Sequence, residues 1–550
     1  MSESPAFTLN GRRVTLDASR PAQSLLRWLN AQGMHGTKEG CGDGDCGACT
    51  VALLEPDSDG QARWRAVNSC LLPLGCLPGR EVLTVEALAE GDSLHPVQQA
   101  LVDCAGSQCG YCTPGFVMSL FAAQQNGELG DACIEGNLCR CTGYRPIRTA
   151  MAQLRDAGPG TDRFGQLAAR AQVTLGSAAL GSFFSPASVE EALDLKQRHP
   201  QAAWVAGATD LGVDLGRGKV VAPTFIALDR IGELHALEVG DGTVRIGGGA
   251  SLSRIERELR GVFPMLDRML HGFAARQVRN RATFGGNLGT ASPIGDLLPV
   301  LLALDAEIEL RGPGATRRVA AADFFIDYRR SARAEDELVI AVELPRRGDL
   351  HGDSLKVAKR QSDDISIVAA CLALAFDAER RVAHARLAYG GVAAIPRRGG
   401  RGLPAGASAG CRDAGNGAAN AGVRVRAIKR PPRQCRLPTR AVRQPVRQVR
   451  RGTSAMSPRF GDTQGRLAVS AANPNIAARA SGTASGCAAL TPTYTDLQGR
   501  ALASDSLLRL RGRALASVSL LRLRGRALAS DSLLRLRGRA GEGGPRSRRS

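Results

Sequence analysis

Residues 38–50 read KEGCGDGDCGACT. Cys41, Cys46 and Cys49 fall within nine residues, each beside a glycine, and a fourth thiol, Cys70, follows in VNSCLL (67–72). C-x4-C-x2-C with a more distant fourth cysteine is the spacing with which four thiolates take a plant-type [2Fe–2S] cluster. Such a cluster carries several negative charges, so backbone N–H groups must turn inward onto the sulfurs. Glycines at 40, 42, 44 and 47 allow the positive-φ conformations that such a nest needs. A structural zinc site or a flexible glycine loop is the alternative reading of the same residues.

Upstream, FTLNGRRVTL (7–16) alternates around Asn10-Gly11, a strong hairpin signal. PAQSLLRWLN (21–30) has the pattern of an amphipathic helix. Hairpin, helix and cysteine loop predict a small α+β unit over residues 1–80. Downstream, residues 81–160 predict a helical unit with a second set of thiols. GSQCGYCTPGFVMSLFAA (106–123) carries Cys109 and Cys112, and GNLCRCTGYRPIRTAMAQL (136–154) carries Cys139 and Cys141. Each pair stands just before a helix start, marked by Thr113-Pro114 as cap and first residue and by Pro146. Ile147, Ala150, Met151 and Leu154 then make one apolar face. Two such helices side by side would gather four thiols at their N-terminal ends, where the dipoles favour thiolates. Taken alone, C-x2-C…C-x-C suits zinc nearly as well as iron; beside a plant-type set, a second [2Fe–2S] cluster is the better reading. Cys76, Cys104, Cys133 and Cys371 lack this grouping and read as small buried hydrophobes.

The chain has 550 residues, too many for one core, and predicts three or four units at ~100–200 residues each. Its net charge of +20 suggests a nucleic-acid or membrane partner until the charge is located. Residues 397–550 hold 31 Lys+Arg and 6 Asp+Glu; the remaining 41 and 46 give residues 1–396 a net of −5. The front of the chain is therefore an ordinary acidic protein, with neither nucleic acid nor membrane as partner. The N-terminus lacks a basic-then-apolar signal pattern, and apolar runs such as LLPVLLAL (297–304) fall short of a membrane span. Fifteen cysteines without a secretory signal point to a reducing, cytoplasmic setting, where grouped cysteines bind metal more often than they form disulfides.

A Gly/Ala/Ser-rich linker is expected over 161–182. From 183 the pattern is α+β again, with SVEEALDL as a helix and QAAWVAG and VRIGGGA as strands. VAGATDLG (205–212) reads as a strand, a glycine turn and a helix start, a common combination that is not the G-x-G-x-x-G of a dinucleotide fold. In RATFGGNLGTASPIGDLLPVLLAL (281–304), Gly285, Gly286 and Asn287 permit close backbone approach. Thr283, Thr290, Ser292 and Asp296 offer hydrogen-bonding groups. KVAKRQSDDIS (356–366) reads by itself as an exposed charged stretch.

GCGDGDCGACTV, NSCL, GSQCGYCTPGFVMSL and GNLCRCTGYRPI, in this order, resemble the iron–sulfur half of the molybdenum hydroxylases. That family includes xanthine dehydrogenases, aldehyde oxidases and carbon monoxide dehydrogenases. Over residues 7–396 the resemblance implies an α+β multidomain fold. Its parts are a β-grasp 2Fe-2S ferredoxin-like domain, a four-helix 2Fe-2S domain and an α+β FAD-binding domain of the PCMH-like kind over 183–345. The start of an incomplete C-terminal flavoprotein subdomain follows over 346–396. Cys41, Cys46, Cys49 and Cys70 would hold one cluster, and Cys109, Cys112, Cys139 and Cys141 the other. Gln108 would touch the pterin of a partner subunit, although by itself it reads as a solvent-facing amide. FAD would be held by Val205, Ala206, Gly207, Ala208, Thr209, Asp210, Leu211 and Gly212 at its pyrophosphate. Thr283, Gly286, Asn287 and Thr290 would lie along it, with Asp296 near its sugar or phosphate side and Lys356 as a later contact.

No catalytic residue is implied on this chain. Two iron–sulfur modules and a flavin module without a molybdenum domain resemble the small subunits of the xanthine dehydrogenase branch. That implies electron transfer from a molybdenum cofactor on a large partner subunit through two 2Fe-2S clusters to FAD and NAD+, in a heterotetramer. The reaction would convert xanthine, NAD+ and water to urate and NADH. An aldehyde or N-heterocycle substrate is one alternative; a non-enzymatic iron–sulfur scaffold or a nonfunctional product is another.

The resemblance stops at AYGGVAAIPRR (388–398). Arg-, Ala-, Gly- and Pro-rich sequence follows, ending in GRALASDSLLRLR (499–511), GRALASVSLLRLR (512–524) and GRALASDSLLRLR (525–537). A shifted reading frame in GC-rich DNA would produce this composition; a real basic arm for nucleic acid or anionic lipid is the rival reading. Residues 397–550 are therefore expected to be a disordered basic tail, which would leave apolar surface bare on 365–376 and weaken flavin binding.

Overall fold

The computed structural model describes residues 4–399, apart from 58–59, 172, 174, 220–221 and 379–380. All of these belong to one compact unit. The expectation of a disordered tail falls, from residue 400 onward, outside the described residues.

Asn10 and Gly11 have φ of 53° and 75°, the two left-handed residues that a type I′ turn requires. Ala6–Leu9 accordingly pairs antiparallel with Arg12–Thr15 through Leu9↔Arg12. Ala6–Leu9 also pairs in parallel with Glu81–Leu83. The latter pairs antiparallel with Thr50–Pro56, which is hairpinned to Ala62–Asn68. Leu25 and Leu29 of the helix Leu25–Ala31 share a core with Phe7, Val51, Leu53 and Val82 of this sheet. Two hairpins, a crossing helix and a central strand between the hairpins make a β-grasp. The sheet runs past residue 80, where the sequence placed the boundary, because Glu81–Leu83 fills the slot between the hairpins.

Four helices follow: Pro96–Asp103, Thr113–Gln125, Asp131–Ile134 and Arg145–Ala157. Ile147, Ala150, Met151 and Leu154 are buried as expected. Thr113–Gln125 is buried from Gly115 to Gln124, because the hairpin Thr50–Asn68 lies on one side and its fellow helices on the other. Cys112, not Thr113, is its cap.

The stretch expected as a linker over 161–182 is more ordered than that. Asp162 accepts from the N–H groups of Phe164 and Gly165 and starts a helix, Arg163–Arg170. Phe164 stacks edge-on to Phe121, and the Trp64 indole donates to the Phe164 carbonyl at 3.0 Å. This aromatic anchor ties the segment to both iron–sulfur-type units.

The third module has two sheets. Phe183–Ser185, Phe225–Ala227 and Ala203–Val205 run parallel, with Ala178–Leu180 antiparallel at the edge. The second sheet orders Leu237–Val239, Thr243–Gly247, Leu338–Pro345, Glu307–Arg311 and Thr316–Ala320. A further antiparallel sheet joins His351–Val357, Val368–Phe376, Val382–Gly390 and Arg397–Gly399. Its last strand extends three residues past the break expected at 396. Of the stretch 365–376 expected to be bare, Ile365 is exposed, but Val368–Phe376 is covered. Ala369, Cys371 and Ala373 pack into the main core, and Val368, Ala370 and Leu372 cluster with Leu387 and Tyr389 on the other face.

Candidate functional site

The loop Gly40–Thr50 folds around its sulfurs. Gly42, Gly44 and Gly47 have φ of 75°, 90° and 66°, conformations an L side chain resists. Gly40 does not, contrary to expectation; it is required because a Cβ there would stand 2.6 Å from Cys46 Sγ. With the chain so turned, Asp45 and Cys46 each donate an N–H to Cys41 Sγ at 3.3 Å, and Cys41 donates its own to Cys46 Sγ at 3.3 Å. Asn68 Nδ2 clamps the loop at Gly44 O, 2.9 Å away.

The eight thiols associate two by two, and each pair holds one sulfur toward the thiolate. Cys46, hydrogen-bonded by Cys41, is held down to about 6, while Cys41 is pushed up. Cys70 does the same for Cys49, which falls as Cys70 rises. In the second set, N–H donation at Tyr111 and the Cys141 thiol lower Cys109, and Cys141 rises. Against the cost of burial, the Thr142 hydroxyl and N–H and the Cys112 thiol lower Cys139. Burial pushes Cys112 up to about 12. The hydrogen-bonded couples are 41/46, 49/70, 109/141 and 112/139, and the sulfurs of each set also act on one another across these couples, Cys41 on Cys70 and Cys109 on Cys112. Among the described residues no three His, Cys, Asp or Glu side chains converge as ligands of one ion.

The second set stands at the starts of Thr113–Gln125 and Arg145–Ala157, whose N-cap residues are Cys112 and Tyr144. Cys109 and Cys141 are exposed, Cys112 is half-buried and Cys139 is buried. Gln108 is exposed beside Cys109. The two loops touch: Leu138 donates its N–H to Cys46 O at 3.0 Å. Of the ungrouped cysteines, Cys76, Cys133 and Cys371 are buried as expected. Cys104 is only half-buried, its thiol donating to Gln153 Oε1.

A cavity of about 1800 Å³ lies beside the first loop, larger than the usual ~300–1,000 Å³ of a small-molecule site. Val205 through Leu211 line it, as do Thr283, Gly286, Asn287, Thr290 and Asp296. So do Asp43, Gly44 and Asp45 of the cysteine loop. Ala208 takes φ 62° at the turn, and a Cβ on Gly207 would stand 1.8 Å from Arg281 O. Thr283 caps Phe284–Thr290 by accepting from Gly286 N–H at 3.0 Å. Asn287 Oδ1 is buried without a partner, an acceptor waiting for a donor from a bound group.

Two expected residues stand elsewhere. Gly212 packs against Leu71, whose carbonyl a Cβ would meet at 2.4 Å. Lys356 sits behind the wall: its Nζ is 2.8 Å from Asp296 Oδ2 and 2.9 Å from Gly272 O, while Ser366 Oγ donates to Asp296 Oδ1. Sequence reasoning missed the apolar wall formed by Phe273, Ile294 and the exposed Ile365, and the buried Asp363 beside it. It also missed the floor, where Arg281 bridges Glu55 at 2.8 Å and Asp229 at 2.9 Å, joined by Arg80. Against the cost of burial, Arg80, Arg281 and Arg230 hold Asp229 down to about 2. Nothing local in the sequence marks these charges; only the fold brings them together.

Family models match the chain in four consecutive parts. A 2Fe-2S iron-sulfur cluster binding domain covers residues 7–75 and a [2Fe-2S] binding domain covers 84–152. The FAD binding domain in molybdopterin dehydrogenase covers 177–347, and the CO dehydrogenase flavoprotein C-terminal domain covers 353–400. Xanthine dehydrogenase 2 of Arabidopsis thaliana is 31% identical over 475 residues, covering 71% of this chain and 35% of its own length. Xanthine dehydrogenase of Drosophila subobscura is 33% identical over 460 residues, covering 70% and 34%. Xanthine dehydrogenase/oxidase of Mus musculus is 33% identical over 454 residues, with the same coverage. The chain thus spans about a third of the length of these relatives. The solved quinoline 2-oxidoreductase from Pseudomonas putida 86 aligns with a TM-score of 0.45 at 22% identity, over 49% of this chain and 97% of that one.

Proposed function

The chain belongs to the molybdenum hydroxylase family as an iron–sulfur/FAD member, and on that premise we propose that it is the electron-transfer subunit of a xanthine dehydrogenase. In this reading Cys41, Cys46, Cys49 and Cys70 hold one [2Fe–2S] cluster, and Cys109, Cys112, Cys139 and Cys141 hold the other. FAD occupies the cavity between 205–211 and 283–296, and a molybdenum-bearing large subunit carries the organic chemistry. Bound there, the clusters would supply one-electron transfer, and the flavin would gather electrons for NAD+; the protein's part is to place and tune them.

The observation that carries the reading is that Asp43, Gly44 and Asp45 belong at once to the first cysteine loop and to the wall of the flavin cavity. The first cluster site therefore lies between the cavity and the second thiol set, to which it is joined by the Leu138–Cys46 hydrogen bond. The exposed Cys109 and Cys141 leave the second site open to a partner, with Gln108 beside it. N–H groups aimed at Cys41 and Cys46 favour the charged sulfurs. Asp296, gripped by Lys356 and Ser366, presents a fixed carboxylate to the cavity, and Asn287 offers its unused acceptor.

The test is coexpression with a candidate molybdenum subunit, followed by copurification and xanthine-dependent formation of NADH. An assembled complex should reduce NAD+ with xanthine, and should lose this activity when the second thiol set is removed. A complex that oxidises aldehydes or N-heterocycles but not xanthine would overturn the substrate assignment. A chain that turns over xanthine alone would overturn the division between subunits.

A further inference from the structure

The two thiol loops are brought together by a residue belonging to neither. Gln277 lies in the short helix Arg276–Arg279 of the flavin module and is 1% exposed. Its Nε2 donates to Asn137 Oδ1 at 2.9 Å and to Ser119 Oγ at 3.1 Å, with Thr50 Oγ1 at 3.5 Å. Asn137 is itself 1% exposed. It passes the contact on, its Nδ2 donating to Gly47 O at 3.0 Å while its Oδ1 accepts from Ser119 Oγ at 2.7 Å. Asn137 stands two residues before Cys139, and Gly47 follows Cys46. The next residue, Leu138, makes the N–H to Cys46 O bond between the loops.

Three glycines allow this approach. A Cβ on Gly47 would stand 2.2 Å from Gly136 O, one on Gly115 would stand 2.2 Å from Gly47 O, and one on Gly136 would stand 2.2 Å from Gln277 Oε1. The neighbours of Gln277 fasten the same segment to both modules. Arg279 pairs with Glu135 at 2.7 Å, and Asn280 Nδ2 donates to Ala66 O at 2.8 Å.

We propose that Gln277 is a positioning residue through which the flavin module sets the register of the two cysteine loops, and with it the coupling of the two clusters. This rests on the cluster assignment given above. Buried side-chain amides that satisfy several acceptors lose the whole set when one partner goes. Gln277 therefore acts through Asn137 on the loop junction and touches no sulfur.

Gln277→Leu in the full chain keeps the volume and removes the donor. Two readouts apply. Hydrogen exchange at the Leu138 amide, which reports the loop junction whatever metal is bound, should speed up about tenfold relative to wild type, the scale of one lost buried hydrogen-bond set. In the anaerobically reduced protein, electron paramagnetic resonance should keep both cluster signals while the splitting from their mutual spin interaction is lost. Gly136→Ala is the second variant: its methyl would displace the Gln277 side chain and should reproduce both effects. It also serves if Gln277→Leu does not accumulate. Unchanged Leu138 exchange and unchanged splitting in the variant that folds would overturn the inference. A wild-type protein without two cluster signals would instead overturn the cluster assignment, and Leu138 exchange would then decide the positioning role alone.

Discussion

Lys356 and Asp296 make a prediction that separates two roles for the same lysine. The resemblance at the sequence level gave Lys356 a direct part in holding the flavin; the structure puts it behind Asp296. The carboxylate is 7% exposed, with Lys356 Nζ at 2.8 Å on one oxygen and Ser366 Oγ on the other. Lys356→Met keeps most of the aliphatic stem and deletes the ammonium. It leaves a buried carboxylate with a single hydroxyl donor and deprives Gly272 O of its partner. Removing one member of a buried pair costs about 3–5 kcal/mol, or roughly 100- to 5,000-fold in the equilibrium that holds this wall together. Lys356→Met/Asp296→Asn removes the stranded charge, so the double variant should recover more than half of the loss. The assay is thermal release of flavin from the full chain, followed by the rise in flavin fluorescence. A single variant as stable as wild type would refute the account. A double variant weaker than the single one would do the same, because it would mean that the cavity needs the Asp296 charge itself.

Gly207→Ala should abolish flavin binding while leaving iron content intact, since the new methyl would stand 1.8 Å from Arg281 O; the flavin-to-iron ratio of the purified protein checks this. Cys112→Ser should remove only the cluster of the second set, halving iron and leaving one reduced signal. Loss of both signals would contradict the division of the eight thiols into two independent sets of four. Burial, aided by Asp45, pushes Asp363 up to about 7. The folded protein therefore binds this proton more tightly than the unfolded chain, and stability falls as the pH rises from about 4 to about 7. Asp363→Asn removes the charge and suits φ 50° at this position. Its advantage over wild type should grow from about 2 kcal/mol at pH 5 to about 4 kcal/mol at pH 8. Parallel stability curves for the two proteins in denaturant would refute it.

What the sequence disclosed, and what it hid, divides along local and distant causes. The hairpin at Asn10-Gly11 was legible because two adjacent positive φ angles leave a dipeptide signature. The thiol loops were legible because their ligand spacing is local. Glu81–Leu83 was not, since three residues without alternation become a strand only by pairing in parallel with Ala6–Leu9. The helix Arg163–Arg170 hid inside an apparent linker because Phe164 acquires its meaning from Trp64 and Phe121, far away in the chain. Lys356 was found, but its place behind Asp296 was not legible, because only the fold puts the carboxylate between it and the cavity. Gln277 and Asp229 carry no motif, and Asn137 and Arg281, though they stand inside quoted stretches, show their roles only once the fold brings their partners to them.

The central claim is that eight thiols, in two sets of four, build two distinct [2Fe–2S] sites on this chain. Quantitative electron paramagnetic resonance of the anaerobically purified, chemically reduced full chain tests it most directly. The account predicts two different signals that integrate to about two spins per chain, with about four irons. A single signal of one spin, or a silent protein carrying zinc at the second set, would contradict it.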